Sequence, residues 1–187
     1  LDAGHKYAEA EQHFQACLEV NDSDPDLLRG WGECLVNLGR SPQASKLFRQ
    51  IIEQNENDCG ARLGLGKIAL QEDRVEDAIS WLEPAVAACP KQPDVRYAFA
   101  QALVAAGRQE EAAGHFAYFD EASTALTRVA HMTTHLVNHP DDVEARFEVG
   151  HLYMQYGSAE EGANWLRTVL AAEPEHAATH AILADYY

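Results

Sequence analysis

The chain contains 187 residues, of which 47% are apolar, and its 30 acidic and 14 basic side chains give a net charge of −16. This composition can build a folded core. It disfavours nucleic acid and anionic membranes as partners, because both bind cationic surfaces. No stretch approaches the roughly 18 apolar residues of a membrane-spanning helix, and the sequence assigns no compartment.

The predicted helices follow from a spacing that repeats along the chain. A small residue, followed four positions later by a large apolar one, recurs at Ala10–Phe14, Ala44–Phe48, Ala78–Leu82, Ala112–Phe116 and Gly162–Leu166. A second set marks a preceding helix at Trp31-Gly32, Leu65-Gly66, Phe99-Ala100, Val149-Gly150 and Leu183-Ala184. Turns separate the sets at Gly39-Arg40, Asp73-Arg74, Gly107-Arg108 and Gly157-Ser158. The first four small residues lie 34 positions apart, so the pattern predicts helix pairs in units of that length.

Local signals place some of the helix ends. We expect Ser41 to cap a helix whose first position is Pro42, where the missing N–H of proline does no harm. Gly39, Gly107 and Gly157 are expected to supply the permissive backbone of a helix C-terminus.

A longer helical segment is predicted between His115 and His139, because it contains neither glycine nor proline. Its apolar residues follow helical spacing. The helix either continues to about Asn138, which the pattern favours, or breaks near Ser123 and restarts. Pro140 ends it in either case.

The repeated pattern resembles the tetratricopeptide repeat, a unit of two antiparallel helices. The resemblance implies an all-α solenoid, a right-handed superhelix with an extended or extra helix between its fourth and fifth repeats. The expected divisions are 1–24 as the latter part of a repeat, 25–58, 59–92 and 93–126 as repeats, 127–142 as a helical insertion, 143–176 as a repeat, and 177–187 as the first helix of another. We therefore expect a piece of a longer protein. Departures from the family pattern are Arg62, Arg96 and Arg146, where a large apolar residue is usual.

The resemblance also implies a ligand groove lined by the first helix of each repeat, with contacts from set positions of each unit. The groove residues so implied are Arg29, Glu33, Leu63, Lys67, Leu70, Tyr97, Gln101, Val104, Phe147, His151 and Met154. Tyr97 and Phe147 occupy equivalent positions outside the packing pattern, so both are expected to be exposed unless something covers them. Packing of the apolar groove residues against neighbouring helices, or against a segment that folds back, remains the alternative. An apolar strip with polar neighbours is typical of a binding surface.

The expected function is a protein-interaction scaffold that binds a peptide or protein segment, basic or apolar in character, and self-association stays open. The chaperone-tail clamp of the family is absent, because Glu33, Gly64 and Asp94 stand where it has amide or basic side chains. We expect no enzyme and no cofactor, since no catalytic or phosphate-binding motif occurs.

Two other functions remain as alternatives. One is a structural or self-assembly module that packs on an attached catalytic or haem domain. The other is a metal-binding regulator that uses His131, His135 and His139, which share one helix face at four-residue spacing. Chance placement on an exposed face is the favoured interpretation of these histidines.

The four cysteines form no C-x-x-C pair. Cys17 and Cys34 are expected to be buried thiols. Cys59 and Cys89 open and close one repeat, so antiparallel helices bring them near each other. A disulfide between them is the alternative, and two separate thiols are the favoured interpretation, because sequence alone does not fix the spacing.

Overall fold

The computed structural model describes residues 13–14 and 23–187. These residues contain nine helices that begin and end within them, and no strand. The helices are α1 (Pro25–Asn37), α2 (Ser41–Gln54), α3 (Cys59–Gln71), α4 (Val75–Ala88), α5 (Pro93–Ala105), α6 (Gln109–Asn138), α7 (Val143–Tyr156), α8 (Ala159–Ala172) and α9 (Ala177–Tyr186). The all-α repeat fold expected from the sequence is confirmed. None of these helices is both long and apolar enough to cross a bilayer.

The chain divides into two compact units, which we describe separately. The first contains the described residues up to 90 together with 94–115, and the second contains 91–93 together with 116–187. Helix α6 contributes its first residues to the first unit and the remainder to the second.

The core of the first unit is built on the small residues of the repeat. Ala44 and Ala78 are fully buried, and Ala112 is 1% exposed. A Cβ atom added to Gly66 would lie 2.4 Å from Cγ of Leu82. The helices therefore approach so closely that a larger residue has no room at these positions. The main cluster contains Leu28, Leu35, Ala44, Phe48, Ile51, Ala61, Leu65 and Ile68.

The core of the second unit is also built on small residues of the repeat. A Cβ atom on Gly150 would lie 2.8 Å from Cγ of Leu166, and one on Gly162 would lie 2.8 Å from the carbonyl oxygen of Gly150. One apolar cluster contains Val129, Leu136, Ala145 and Val149, and another contains Ala163, Leu166 and Leu183.

Helix α6 is continuous over 30 residues, which confirms the favoured interpretation that the helix continues to about Asn138. In its second-unit part Ala122, Val129 and Leu136 are buried, so the apolar stripe faces packed side chains along this length. The break near Ser123 does not occur.

One expectation about helix ends was wrong. Arg40, not Ser41, precedes α2, because the Arg40 carbonyl already accepts the first intrahelical hydrogen bonds, from Gln43 and Ala44. Gly39 and Gly107 adopt left-handed φ angles of 72° and 79°. Gly157 is the C-cap of α7, with a φ of −129° that lies outside the left-handed region.

The equivalent turn of the repeat between α3 and α4 uses Asp73 in place of glycine, with a φ of 54°. Aspartate tolerates the left-handed region better than most residues.

The arginines that depart from the family pattern have a common structural role. The side chains of Arg62, Arg96 and Arg146 each donate a hydrogen bond to the backbone carbonyl six residues earlier, in the loop before their helix. His180 makes the same contact with the carbonyl of Pro174 at 2.8 Å. The carbonyls of these loops lie outside any helix, so a side-chain donor satisfies them.

Cys59 and Cys89 form a disulfide, with Cα atoms 6.3 Å apart, so the favoured interpretation of two separate thiols was wrong. Cys59 is the first residue of α3 and Cys89 follows α4, so the bond closes the open end of this helix pair. Ala85 and Val95 are buried beside it. Cys34 is buried, as expected, whereas Cys17 lies outside the described residues.

Candidate functional site

A hollow of about 530 Å³, which we call the first hollow, lies within the first unit. Residues from the first helices of three successive repeats, α1, α3 and α5, form most of its lining. The lining residues are Glu33, Val36, Asn37, Phe48, Gly60, Leu63, Gly64, Lys67, Gln71, Asp94 and Gln101.

Four of the groove residues expected from the sequence come together here: Glu33, Leu63, Lys67 and Gln101. Glu33, Lys67 and Gln101 occupy the same position in successive repeats, and the repeat places them along one surface. Gly60 and Asp94 also line the hollow, although neither is among the groove residues listed from the sequence. Their signal was available, because both occupy the second position of a repeat, which the family also uses.

The charged side chains of the first hollow have no hydrogen-bond or ion-pair partner among the residues that the structure describes. No hydrogen bond or ion pair within the described part of the chain involves the side chain of Glu33, Lys67 or Asp94. The three side chains are exposed, so each is available to a ligand.

Arg29, another expected groove residue, does not line the first hollow and pairs with two carboxylates of the protein. Its guanidinium lies 2.7 Å from a carboxylate oxygen of Asp26 and 2.9 Å from one of Asp58. Partial burial works to lower the pKa of Arg29, but the hydrogen bonds and charges of these two carboxylates outweigh it and raise the pKa. Asp58 in turn accepts a hydrogen bond from the backbone N–H of Ala61 and caps α3. The Arg29 side chain runs close beside Gly60, where an added Cβ would lie 2.6 Å from Nε.

Three more expected groove residues lie in the first unit but do not line this hollow. Tyr97 is 37% exposed and Val104 is 42% exposed, as large apolar side chains on α5. Leu70 is half-buried on α3. The structure thus places only part of the expected strip around the hollow.

A second hollow, of about 340 Å³, lies within the second unit. It is lined by Lys91, His151, Met154, Gln155, Ala159, Ile182, Asp185 and Tyr186. His151 and Met154 were expected groove residues. Lys91 was missed, because it lies in a loop and no repeat position marks it. Its ammonium donates to the carbonyl of Met154 at 3.2 Å.

Phe147 is covered by neighbouring side chains rather than exposed, as the alternative of packing against other helices allows. Its ring is half-buried and packs on the cluster that contains Leu166 and Leu183. The ring centroid lies 4.8 Å from that of His176 and 5.9 Å from that of His151. His176 caps α9, so the start of the next helix brings its ring over Phe147.

The three histidines of α6 lie on an exposed face. The rings of His135 and His139 stack with centroids 4.4 Å apart, and Nε2 of His135 lies 3.0 Å from Oδ2 of Asp142. The backbone N–H of Ala145 and the His135 imidazole hold the pKa of Asp142 below its usual range. Among the residues described, no three His, Cys, Asp or Glu side chains are placed to hold a metal ion, and this includes His131, His135 and His139.

The paired helices, the close contacts at small residues and the hollows among first helices together define a helical-repeat protein. The sequence profile described as Tetratricopeptide repeat matches residues 1–58 and 35–93. The chain belongs to the tetratricopeptide-repeat family. Proteins with this fold generally act as protein-interaction scaffolds and are typically non-catalytic.

Several solved structures share the fold. TTC0263, a thermophilic repeat protein of Thermus thermophilus, has a TM-score of 0.54 and 18% identity, with 97% of this chain and 90% of that chain covered. MamA has a TM-score of 0.53 and 17% identity, with 95% and 98% covered. YrrB, a repeat protein with an unusual peptide-binding site, has a TM-score of 0.51 and 19% identity, with 89% and 77% covered. No curated protein matches the sequence.

Proposed function

We propose that this chain is an interaction scaffold that binds a peptide, or an extended segment of a protein, in the first hollow. The observation that carries the proposal is that the first helices of three successive repeats contribute side chains to one hollow of about 530 Å³. A volume of this size suits a few residues of an extended segment.

The chemistry of the lining supports a peptide ligand. Asn37, Gln71 and Gln101 present exposed primary amides, which both donate and accept hydrogen bonds, as the main chain of a peptide does. Val36 and Leu63 supply apolar surface beside them. Apolar contacts surrounded by polar groups are the usual anatomy of a protein interface. The peptide-binding site of the structurally similar YrrB is in keeping with this function.

In this proposal the chain is non-catalytic, and its partner is a protein or peptide of basic or apolar character. The repeats span 25–58, 59–92, 93–126 and 143–176, and 127–142 is an insertion. The paired helices α1–α2, α3–α4 and α7–α8 support those divisions.

Filling the hollow tests the proposal. A random peptide library displayed on phage is selected on the full chain, and binding of the enriched peptides is measured on two variants. Lys67→Trp places a large ring in the hollow and is expected to weaken binding at least about tenfold, because it excludes the segment sterically. Lys46→Trp makes the same change at an exposed position of α2, outside the hollow, and is expected to leave binding unchanged.

Melting curves of both variants show whether the fold is kept. If no peptide is enriched, or if the two variants bind the enriched peptides equally well, the first hollow is not the binding site.

A further inference from the structure

We propose that the first hollow selects segments in which lysine or arginine stands beside apolar residues, an inference that rests on the proposed function. The described groups that carry it are the carboxylates of Glu33 and Asp94, the apolar side chains beside them, and the ion pairs that the neighbouring Arg29 makes.

The two carboxylates belong to different helices of the same hollow. Glu33 is on α1 and Asp94 is on α5, and both are exposed and engaged by no described side chain. A segment that crosses the hollow from α1 to α5 passes both groups. A positively charged side chain on that segment gains a partner at either end, whereas an acidic one meets like charge.

The nearby positive charge of Arg29 does not reverse this balance. Asp26 and Asp58 both pair with its guanidinium, so it has little attraction left for an acidic ligand. Lys67 is then the one cation among the lining residues, and its ammonium suits a main-chain carbonyl of the bound segment. The net charge of −16 adds a long-range attraction for cationic segments.

The apolar part of the lining fits the same ligand. Leu63 and Val36 are half-buried, so they offer apolar surface without filling the hollow. The hydrocarbon stem of a lysine or arginine packs on such surface while its charged end reaches a carboxylate. Apolar neighbours in the segment use the remaining surface. The hollow thus combines the two contacts that a basic and apolar segment needs.

The test compares which peptides are selected by the wild type and by charge variants. The same displayed library is selected in parallel on the wild-type chain, on Glu33→Gln/Asp94→Asn, and on Glu53→Gln/Glu76→Gln. The last variant loses the same net charge at exposed positions of α2 and α4, away from the hollow. We expect lysine and arginine to be enriched at least about threefold over the unselected library with the wild type and with the matched control. That enrichment should disappear with Glu33→Gln/Asp94→Asn.

The outcomes separate this inference from the proposed function. Enriched peptides without a basic preference, or with one that survives in Glu33→Gln/Asp94→Asn, overturn the inference and leave hollow binding intact. A basic preference lost equally in both double variants also overturns it, because the general charge of the chain then explains the selection. If no peptide is enriched by any of the three proteins, both the inference and the proposed function fail.

Discussion

Ala112 and Ala113 are neighbours on α6, but only Ala112 is buried; Ala113 is exposed. Ala112 holds the small-residue position of its repeat, as Ala78 does on α4. We predict that Ala78→Leu and Ala112→Leu each destabilise the protein by about 1–3 kcal/mol, because the added atoms must push packed helices apart. Ala113→Leu is the matched control and should melt like the wild type. Equal melting temperatures of the Ala112 and Ala113 variants would contradict the assignment of Ala112 to the small-residue position of its repeat.

Tyr97 and Phe147 occupy equivalent repeat positions but have different surroundings. Tyr97 is 37% exposed, whereas Phe147 packs on the core and on the ring of His176. We predict that Phe147→Ser lowers the free energy of unfolding by about 2 kcal/mol, since it leaves a gap in a packed cluster. Tyr97→Ser should change it by less than about 1 kcal/mol, as at most partly exposed positions. Denaturant titration of both variants measures this difference, and similar losses would be evidence against it.

Among the elements, the helix pair α3–α4 is distinguished by its disulfide. The bond joins residues separated by 30 positions, and closing a loop of that size stabilises a protein by about 3–4 kcal/mol in the chain-entropy account. We predict that a thiol reductant lowers the melting temperature of the wild type. The Cys59→Ala/Cys89→Ala variant should melt at a lower temperature whether or not reductant is present. A wild-type melting temperature that ignores reductant would show that the bond contributes nothing to stability.

The same helix pair shows what sequence can and cannot predict. The repeat phase identified the buried small residues and placed Glu33, Lys67 and Gln101 in one row, because equal positions in successive units lie side by side. It favoured two thiols over the disulfide that forms between Cys59 and Cys89, because the choice depends on how close two particular helix ends come. It also missed the burial of Phe147, because periodicity assigns a residue to a helix face but does not say which side chain the next helix brings over it.

At the scale of the whole molecule, the dominant property is the excess of acidic side chains. The excess acidic side chains, which give a net charge of −16, repel one another when the chain is compact, and salt screens that repulsion. We predict that the melting temperature rises by about 3 °C between about 10 mM and 300 mM NaCl, equivalent to about 1 kcal/mol for a chain of this size. The same rise in KCl would exclude binding of a specific cation. A fall with salt would mean that the surface ion pairs outweigh the repulsion.

The disulfide also changes how the chain is connected. Residues 59–89 form a covalent ring, in which α3 and α4 are joined at one end by the peptide chain and at the other by sulfur. The peptide end passes through the exposed residue Asp73. A protease that cuts the backbone there leaves two fragments that remain one molecule, still holding the helix pair and its side of the first hollow together. Only cleavage of both connections separates them, so this repeat tolerates a break in its backbone.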